Sequence, residues 1–169
     1  MKKIIGCILL VSCFYTGRLA AQQKYGHINS TEIVQAMPEF KQLTEAVDKR
    51  KKDAQTRLEK MYQDYQARQK ELNDYGTSMM EAVRQERLSE LDSLQRSISA
   101  FQETANGDLR QLQEKLLQPI NDKYLKTVSA VAKENGYTYI FDIGSGTVAY
   151  YPEKTGDISE LVKKKLGIN

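Results

Sequence analysis

A glycine-rich stretch near the C-terminus is the strongest candidate for chemistry in this sequence. Asp142-Ile143-Gly144-Ser145-Gly146-Thr147 combines a carboxylate, two hydroxyls and two glycines within six positions. Such a combination suits a loop whose backbone amides cradle a phosphate group. The alternative is that the glycines only turn the chain between two strands.

The remainder of the sequence argues against a nucleotide site. The loop resembles the first phosphate motif of actin-like ATPases, which lies near the start of a large domain that supplies a second phosphate loop and an adenosine pocket. Here only residues 148–169 follow the loop, and a helical region precedes it. Because a motif counts only in its structural context, we predict no nucleotide and interpret the glycines as a hairpin turn.

Other side chains that could do chemistry are few. His27 is the only histidine, and we expect it to be a surface or edge residue of a strand. No Ser-His-acid set, metal-ligand cluster or Walker loop can be assembled. Acidic pairs such as Glu86 and Glu90 have the spacing of a solvated helix face. The sequence predicts no catalytic residue, no metal and no cofactor, and we expect that the protein is not an enzyme.

The N-terminus predicts export. A basic pair and an apolar run over residues 4–15 precede small residues that end at Ala21, which is typical of a secretory signal peptide over residues 1–21. Cleavage after Ala21 would leave a soluble periplasmic chain. Leu10-Val11-Ser12-Cys13 resembles a bacterial lipobox, so a lipoprotein acylated at Cys13 is the alternative.

Cleavage would also change the charge and the thiol content. The full chain has 25 Lys+Arg against 22 Asp+Glu, a net charge of +3. Lys2, Lys3 and Arg18 lie in the signal segment with no acidic residue, so the mature chain has a net charge of zero. Cys7 and Cys13 lie there too, which leaves no disulfide. We therefore predict no nucleic-acid partner and expect stability to come from packing and assembly.

Heptad patterning predicts two long helices over residues 38–119. The seam positions of the first are Phe40, Val47, Ala54, Met61, Arg68 and Tyr75, with Thr44, Lys51, Leu58, Tyr65 and Leu72. Turn formers before Gly76 end this helix, and Ser78 with Glu81 matches a capping box that would restart one. The return seam is Leu91, Ile98, Ala105 and Leu112, with Arg87, Leu94, Phe101 and Asp108. The two should form an antiparallel hairpin, and the polar seam positions Thr44, Lys51, Arg68 and Asp108 favour arms that splay.

The two ends of the chain predict a small β body over residues 22–37 and 120–169. Residues 24–29 have the pattern of a strand and 30–37 that of a short helix. Pro119 should bend the returning helix where the arm meets the body. Residues 137–143 and 147–151 predict a β-hairpin, and Asp157 or Ser159 should cap a last helix. The fold class is α+β, a long coiled-coil hairpin on a small β body.

These elements and several short motifs resemble the Skp/OmpH family of periplasmic chaperones. The motifs are Tyr25-Gly26-His27-Ile28-Asn29, Met37-Pro38-Glu39-Phe40, Pro119-Ile120 and the run from Val131 to Asp142. The resemblance implies a homotrimer whose helical hairpins hang like tentacles from a shared β body, around a cavity that holds unfolded outer-membrane proteins without ATP. It leaves the outer-membrane assembly machinery as a possible further partner.

The resemblance also implies two sets of site residues. Client binding is expected toward the end of the arm, where Met and Tyr offer adaptable contacts, at Met61, Tyr65, Leu72, Tyr75, Met79, Met80 and Val83. Most of these could instead only hold the two helices together. Trimerisation would bury the apolar faces around Ile28, Ile140, Val148 and Tyr150.

The charge of this chain differs from that of the best-known family members. Those members are strongly basic, whereas this mature chain is neutral, so we do not infer a lipopolysaccharide site.

A rival hypothesis is a structural coiled-coil scaffold of the cell envelope, lipid-anchored through Cys13. Such a scaffold would space components without handling unfolded clients.

Overall fold

The computed structural model describes residues 23–168, so the predicted signal peptide and Cys13 lie outside the described residues. The elements follow in the order β1 (Tyr25–Ile28), α1 (Ser30–Ala36), α2 (Pro38–Tyr75), α3 (Glu81–Glu134), β2 (Tyr139–Asp142) and α4 (Ser159–Leu166). Helices α2 and α3 pack along their length, and the remaining elements gather at one end. The predicted α+β fold, a long helical hairpin on a small β body, is confirmed.

The arm consists of α2 and the facing part of α3. Pro38 occupies the first turn of α2, where its missing N–H costs no hydrogen bond. The 38 residues of this helix make it about 57 Å long. The predicted heptad seam is present, with Ala54, Leu58 and Met61 half-buried against α3. Near the body, however, the buried residue is Leu43, and the predicted seam residue Thr44 is exposed.

The turn between α2 and α3 differs from the predicted capping box. The N–H of Gly76 donates to the Leu72 carbonyl (2.8 Å) at the end of α2, and α3 begins at Glu81 after Met80. Ser78 does not cap α3, because its hydroxyl donates to the Tyr75 carbonyl (2.8 Å). That bond closes the preceding helix, so the capping-box prediction was wrong.

Helix α3 belongs to both the arm and the body. It continues through Pro119 and ends at Glu134, followed by Gly136 in the left-handed region (φ 70°). Beyond Pro119, the helix buries Ile120 and Tyr124 in the body core. The body and the arm are therefore joined by one uninterrupted helix.

The sheet has a different topology from the predicted hairpin. Strands β1 and β2 pair in parallel, with Tyr25 opposite Tyr139 and Ile28 opposite Asp142. The other edge of β1 is bonded to the segment before α4, since the N–H of His27 donates to the Gly156 carbonyl (2.8 Å). Residues 147–151 form no strand in the described part of the chain, so the predicted second hairpin strand was wrong.

A small core holds the body together. It takes residues from β1, α1, α3 and α4, as well as from the start of α2 and the segments beside α1 and α4. Its buried members are Ile28, Ile33, Met37, Leu43, Ile120, Tyr124, Val131, Ile158 and Val162. Because so few side chains form this core, each large one carries a sizeable share of the stability of the body.

Candidate functional site: the arm tip and the body surface

Hydrogen bonds of the glycine-rich loop join β2 to α1. The N–H groups of Ser30 (3.1 Å) and Gly144 (2.9 Å) both donate to Oδ1 of Asp142. Burial raises the pKa of Asp142, but hydrogen bonds from Ser30 and Gly144 outweigh it and hold the pKa below its ordinary value. A Cβ on Gly144 would lie 2.7 Å from Oδ1 of Asn29, so only glycine fits here. The loop is neither the predicted hairpin turn nor open enough at Gly144 to cradle a ligand.

His27 is a buried residue of the body, and its predicted surface position was wrong. Its side chain is 6% exposed and packs against the ring of Tyr151 at 5.1 Å between centroids. Next to it, burial raises the pKa of Asp157, but hydrogen bonds from Ser159 and the nearby charges of His27 and Lys163 outweigh burial and lower it. Asp157 accepts from the Ser159 N–H (2.8 Å) just before α4. The N-cap position itself is Ile158, which makes no side-chain cap hydrogen bond, so the predicted cap at Asp157 or Ser159 was wrong.

The described residues contain few groups arranged for chemistry. Within residues 23–168 no three His, Cys, Asp or Glu side chains approach closely enough to hold a metal ion. Glu90, suggested by its spacing to lie on a solvated face, is hydrogen-bonded by Arg87 and Arg68, and Arg87 in particular lowers its pKa. In the same part of the chain no helix is both long and apolar enough to cross a bilayer.

Exposed apolar side chains gather at the arm tip, which we define as residues 72–88. Met80 is 74% exposed and Tyr75 is 61% exposed, and both were predicted to bind clients. Beside them Leu72 and Met79 line a cavity of about 560 Å³. Leu88 lines the same cavity and is 40% exposed, although the sequence analysis missed it because it lies outside the heptad seam.

The other predicted client-binding residues lie between the helices. Met61 is half-buried along the seam, as is Val83 near the tip. The hydroxyl of Tyr65 donates to Oε1 of Gln95 across the hairpin (3.1 Å). Met61 and Tyr65 therefore help to hold the two helices together, which was the alternative interpretation of their pattern.

Charged seam positions bind the helices to each other. Arg50 forms an ion pair with Asp108 (2.8 Å), and Arg68 forms one with Glu90 (3.3 Å), each joining α2 to α3. Arg68 also contacts Asp64 on its own helix (3.1 Å). Arg68 and Asp108 are therefore each paired across the hairpin, and the splaying of the arms stays a prediction.

The body carries an exposed aromatic face on its two-stranded sheet. Tyr25, Tyr139 and Phe141 are each about half exposed, and their rings stack with centroids 6.0 to 6.4 Å apart. Alternation along β2 places Tyr139 and Phe141 on one side of the sheet, a signal that was available in the sequence.

The predicted trimerisation residues occupy different environments. Tyr150 is 85% exposed, whereas Ile140 and Val148 are half-buried. Ile28 is already buried within the single chain and packs in the core, so a partner is not needed to cover it. The structure thus leaves three of the four residues with surface that a partner could cover.

A hollow lies where the arm enters the body. It has a volume of about 410 Å³, and its lining includes Val34, Phe40, Leu125 and Asp142 beside Tyr124. Burial, with a smaller contribution from the charge of Asp142, raises the pKa of Tyr124 to about 12. The Tyr124 hydroxyl therefore stays neutral throughout the ordinary pH range.

Comparisons with known proteins agree on the family. Residues 24–166 match the family described as outer membrane protein (OmpH-like). Over 174 residues the chain is 27% identical to the chaperone protein Skp of Vibrio cholerae serotype O1 (strain ATCC 39315 / El Tor Inaba N16961), covering 96% of this chain and 94% of that protein.

A solved structure has a similar fold. The crystal structure of an OmpH-like outer membrane chaperone from Caulobacter crescentus CB15 superimposes with a TM-score of 0.74 at 12% identity, covering 85% of this chain and 83% of that one. At this identity the likeness concerns the fold alone. Since the family match extends over nearly all of the described residues, the chain belongs to the OmpH-like family.

Proposed function

We propose that this chain is an ATP-independent holdase chaperone of the periplasm, which binds unfolded outer-membrane proteins and prevents their aggregation. Its family and its similarity to a protein named chaperone protein Skp support this class of function. The main observation in support is the exposure of apolar side chains at the arm tip. Large apolar side chains, Tyr75 and Met80 above all, are left exposed at the far end of a long arm, where an extended client can be reached.

The client contacts are weak and adaptable. Methionine is flexible and polarisable and tyrosine is amphipathic, so both suit a surface that must accept many sequences. We assign direct contact to Tyr75, Met79 and Met80, with Leu72 and Val83 supporting them from between the helices. Several such contacts on several arms would hold a client while it remains mobile, and no step requires a nucleotide.

The working form is a homotrimer joined through the body. A core of this size is small for an independent unit, and the aromatic face of Tyr25, Tyr139 and Phe141 supplies apolar surface for a neighbouring copy. Among the described residues, β2 pairs only with β1, so its outer edge is open. Residues 147–151 are rich in strand formers and would suit that edge on the next copy.

Three arms around one axis would enclose the client cavity. In this arrangement the cross-helix ion pairs of Arg50 and Arg68 would hold the two helices of each arm together, so that the tip stays at a distance from the body. The outer-membrane assembly machinery would be the recipient of the client.

A second candidate is a coiled-coil spacer of the envelope. The same two cross-helix ion pairs favour it, since a spacer needs stiff arms and no client. A lipid anchor at Cys13 would place such a spacer on a membrane. Labelling with radioactive palmitate tests the anchor, because a chain cut after Ala21 would incorporate none.

Sedimentation of residues 22–169 with a urea-unfolded outer-membrane barrel protein distinguishes the two functions. A holdase sediments as a trimer that keeps the client in solution, and Met79→Ser with Met80→Ser reduces the amount retained. The matched control is Leu161→Ser, which removes a 41% exposed leucine from α4 in the body. A stable oligomer that leaves the client to aggregate would favour the spacer. Equal retention by the tip variant and wild type would remove the client site from the tip.

A further inference from the structure

Methionine is the only source of sulfur in the described part of the chain. Both cysteines precede residue 23, so residues 23–168 contain Met37, Met61, Met79 and Met80 and no thiol. Their exposure differs widely: Met37 is 1% exposed, Met61 and Met79 are half-buried, and Met80 is 74% exposed. Because an oxidant must reach the thioether, these four residues should react at very different rates.

Met80 contributes its backbone to the fold, while its side chain faces solvent. It precedes α3 in an extended conformation (φ −62°, ψ 141°) and makes no side-chain cap hydrogen bond. Its carbonyl accepts from the N–H of Arg84 (3.0 Å), which starts the helix. A chemical change at the Met80 sulfur would therefore leave the turn and both helices intact.

The surroundings of Met80 make its polarity matter. Met79, Leu72 and Leu88 line the apolar part of the tip cavity, whereas Glu81 and Arg84 lie at the same cavity and are paired with each other at 3.0 Å. Met80 does not line this cavity, but it lies between two residues that do, Met79 and Glu81, and offers a largely exposed apolar side chain at the same end of the arm. Adding a polar oxygen there would interrupt the surface to which a client binds.

We propose that Met80, with Met79 as a slower second site, is an oxidation site that weakens client binding when the cell envelope meets a peroxide. The inference rests on the proposed function. In the reaction, a lone pair of the thioether sulfur attacks one peroxide oxygen, an S–O bond forms and the O–O bond breaks. The departing hydroxide takes up the proton of the sulfur-bound oxygen and leaves as water. Sulfur is oxidised by two electrons and hydrogen peroxide is reduced to water.

The product is a methionine sulfoxide, which is polar where the thioether was apolar. Its effect on client binding is concentrated at the tip, since Met37 is shielded in the core and the half-buried Met61 lies in the seam, away from the tip. The modification is reversible by methionine sulfoxide reductases. The chain would thus release or refuse clients under oxidative stress without unfolding.

The test uses the mature chain treated with hydrogen peroxide, with peptide-resolved mass spectrometry to follow each methionine. We expect Met80 to oxidise about tenfold faster than Met37. Client retention is then measured by sedimentation before and after treatment. For each variant, retention after treatment is divided by retention before it, so that differences in starting affinity cancel. We expect this ratio to be about one-fifth for the wild type and close to one for the double variant Met79→Leu, Met80→Leu.

Specific outcomes would overturn the inference. They are oxidation of Met37 as fast as that of Met80, unchanged retention with Met80 fully oxidised, or an equal loss in the double variant. Restoration of wild-type retention by the reductases would support it. Poor retention by the untreated wild type would instead refute the proposed function, and this inference with it, so the two failures are separable.

Discussion

Replacing Asp142 with Ala should destabilise the body, because this carboxylate joins β2 to the start of α1. Its Oδ1 accepts from the N–H groups of Ser30 (3.1 Å) and Gly144 (2.9 Å). Hydrogen bonds to a charged group contribute about 1.5 to 3 kcal/mol each in stability, and partial exposure reduces that figure. We expect Asp142→Ala to lower the free energy of unfolding by about 2 kcal/mol, and Asp142→Asn, which keeps a neutral acceptor, by about 1 kcal/mol.

The interaction should also depend on pH. Because the folded pKa of Asp142 lies below its ordinary value of 3.8, the stabilisation is complete above that value and is lost as the pH falls through the folded pKa. Asp157 has a lowered pKa as well and will contribute to the same acid loss. The contribution of Asp142 is therefore the part of the acid loss that disappears in Asp142→Asn.

Tyrosine fluorescence during urea unfolding is the appropriate assay, because most tyrosines lie in the body and the sequence contains no tryptophan. Helix content measured by circular dichroism would report mainly on the long arm. An Asp142→Ala variant that unfolds within about 0.5 kcal/mol of wild type would refute the assigned role of the carboxylate. An unchanged acid profile in Asp142→Asn would refute the pKa argument.

Further substitutions test the packing of the body and the arm. Gly144→Ala should lower the free energy of unfolding in urea by about 1 to 3 kcal/mol, because its Cβ would contact backbone and side-chain atoms closely. In the control Gly107→Ala the added Cβ has open space, so this substitution should stabilise α3 by about 1 kcal/mol. Ile158→Ala removes a side chain with 0% exposure and should cost about 2 to 4 kcal/mol by the same assay, and a loss below about 1 kcal/mol would contradict the proposed core. Replacing both Arg50 and Arg68 with Gln should leave the midpoint of urea unfolding almost unchanged, since both ion pairs are exposed. The distances between spin labels on α2 and α3 should nevertheless become more broadly distributed. An unchanged distance distribution would show that the ion pairs do not restrain the arm.

Local sequence signals predicted the helices well and the sheet poorly. The heptad repeat predicts α2, and the turn formers before Gly76 give its end within a residue or two. At α1, Asn29 is the N-cap, its Oδ1 accepting from the Glu32 N–H (3.2 Å). The partner of β1, by contrast, lies more than a hundred residues away, and alternation in residues 147–151 shows only that they could form a strand. His27 is buried by Tyr151 and the segment before α4, which are equally remote in sequence.

The candidate site shows the same division between local and distant information. Met79 and Met80 were identifiable because they adjoin the turn formers that end α2. The pairing of Arg68 with Glu90 could not be predicted, since it depends on how the two helices align. A charge in a heptad seam is unfavourable alone but acceptable when the facing helix supplies its opposite.

The body combines elements from both ends of the described residues, so its folding must bring distant segments together. Ser30 and Asp142 are hydrogen-bonded although 112 residues separate them, and joining two such distant points in an unfolded chain carries an entropic cost. If α2 and α3 pair from the tip first, most of that intervening loop is removed, so we expect the arm to form before the two strands meet. The hairpin would in this way bring the two halves of the body together, in addition to holding the arm tip away from the body.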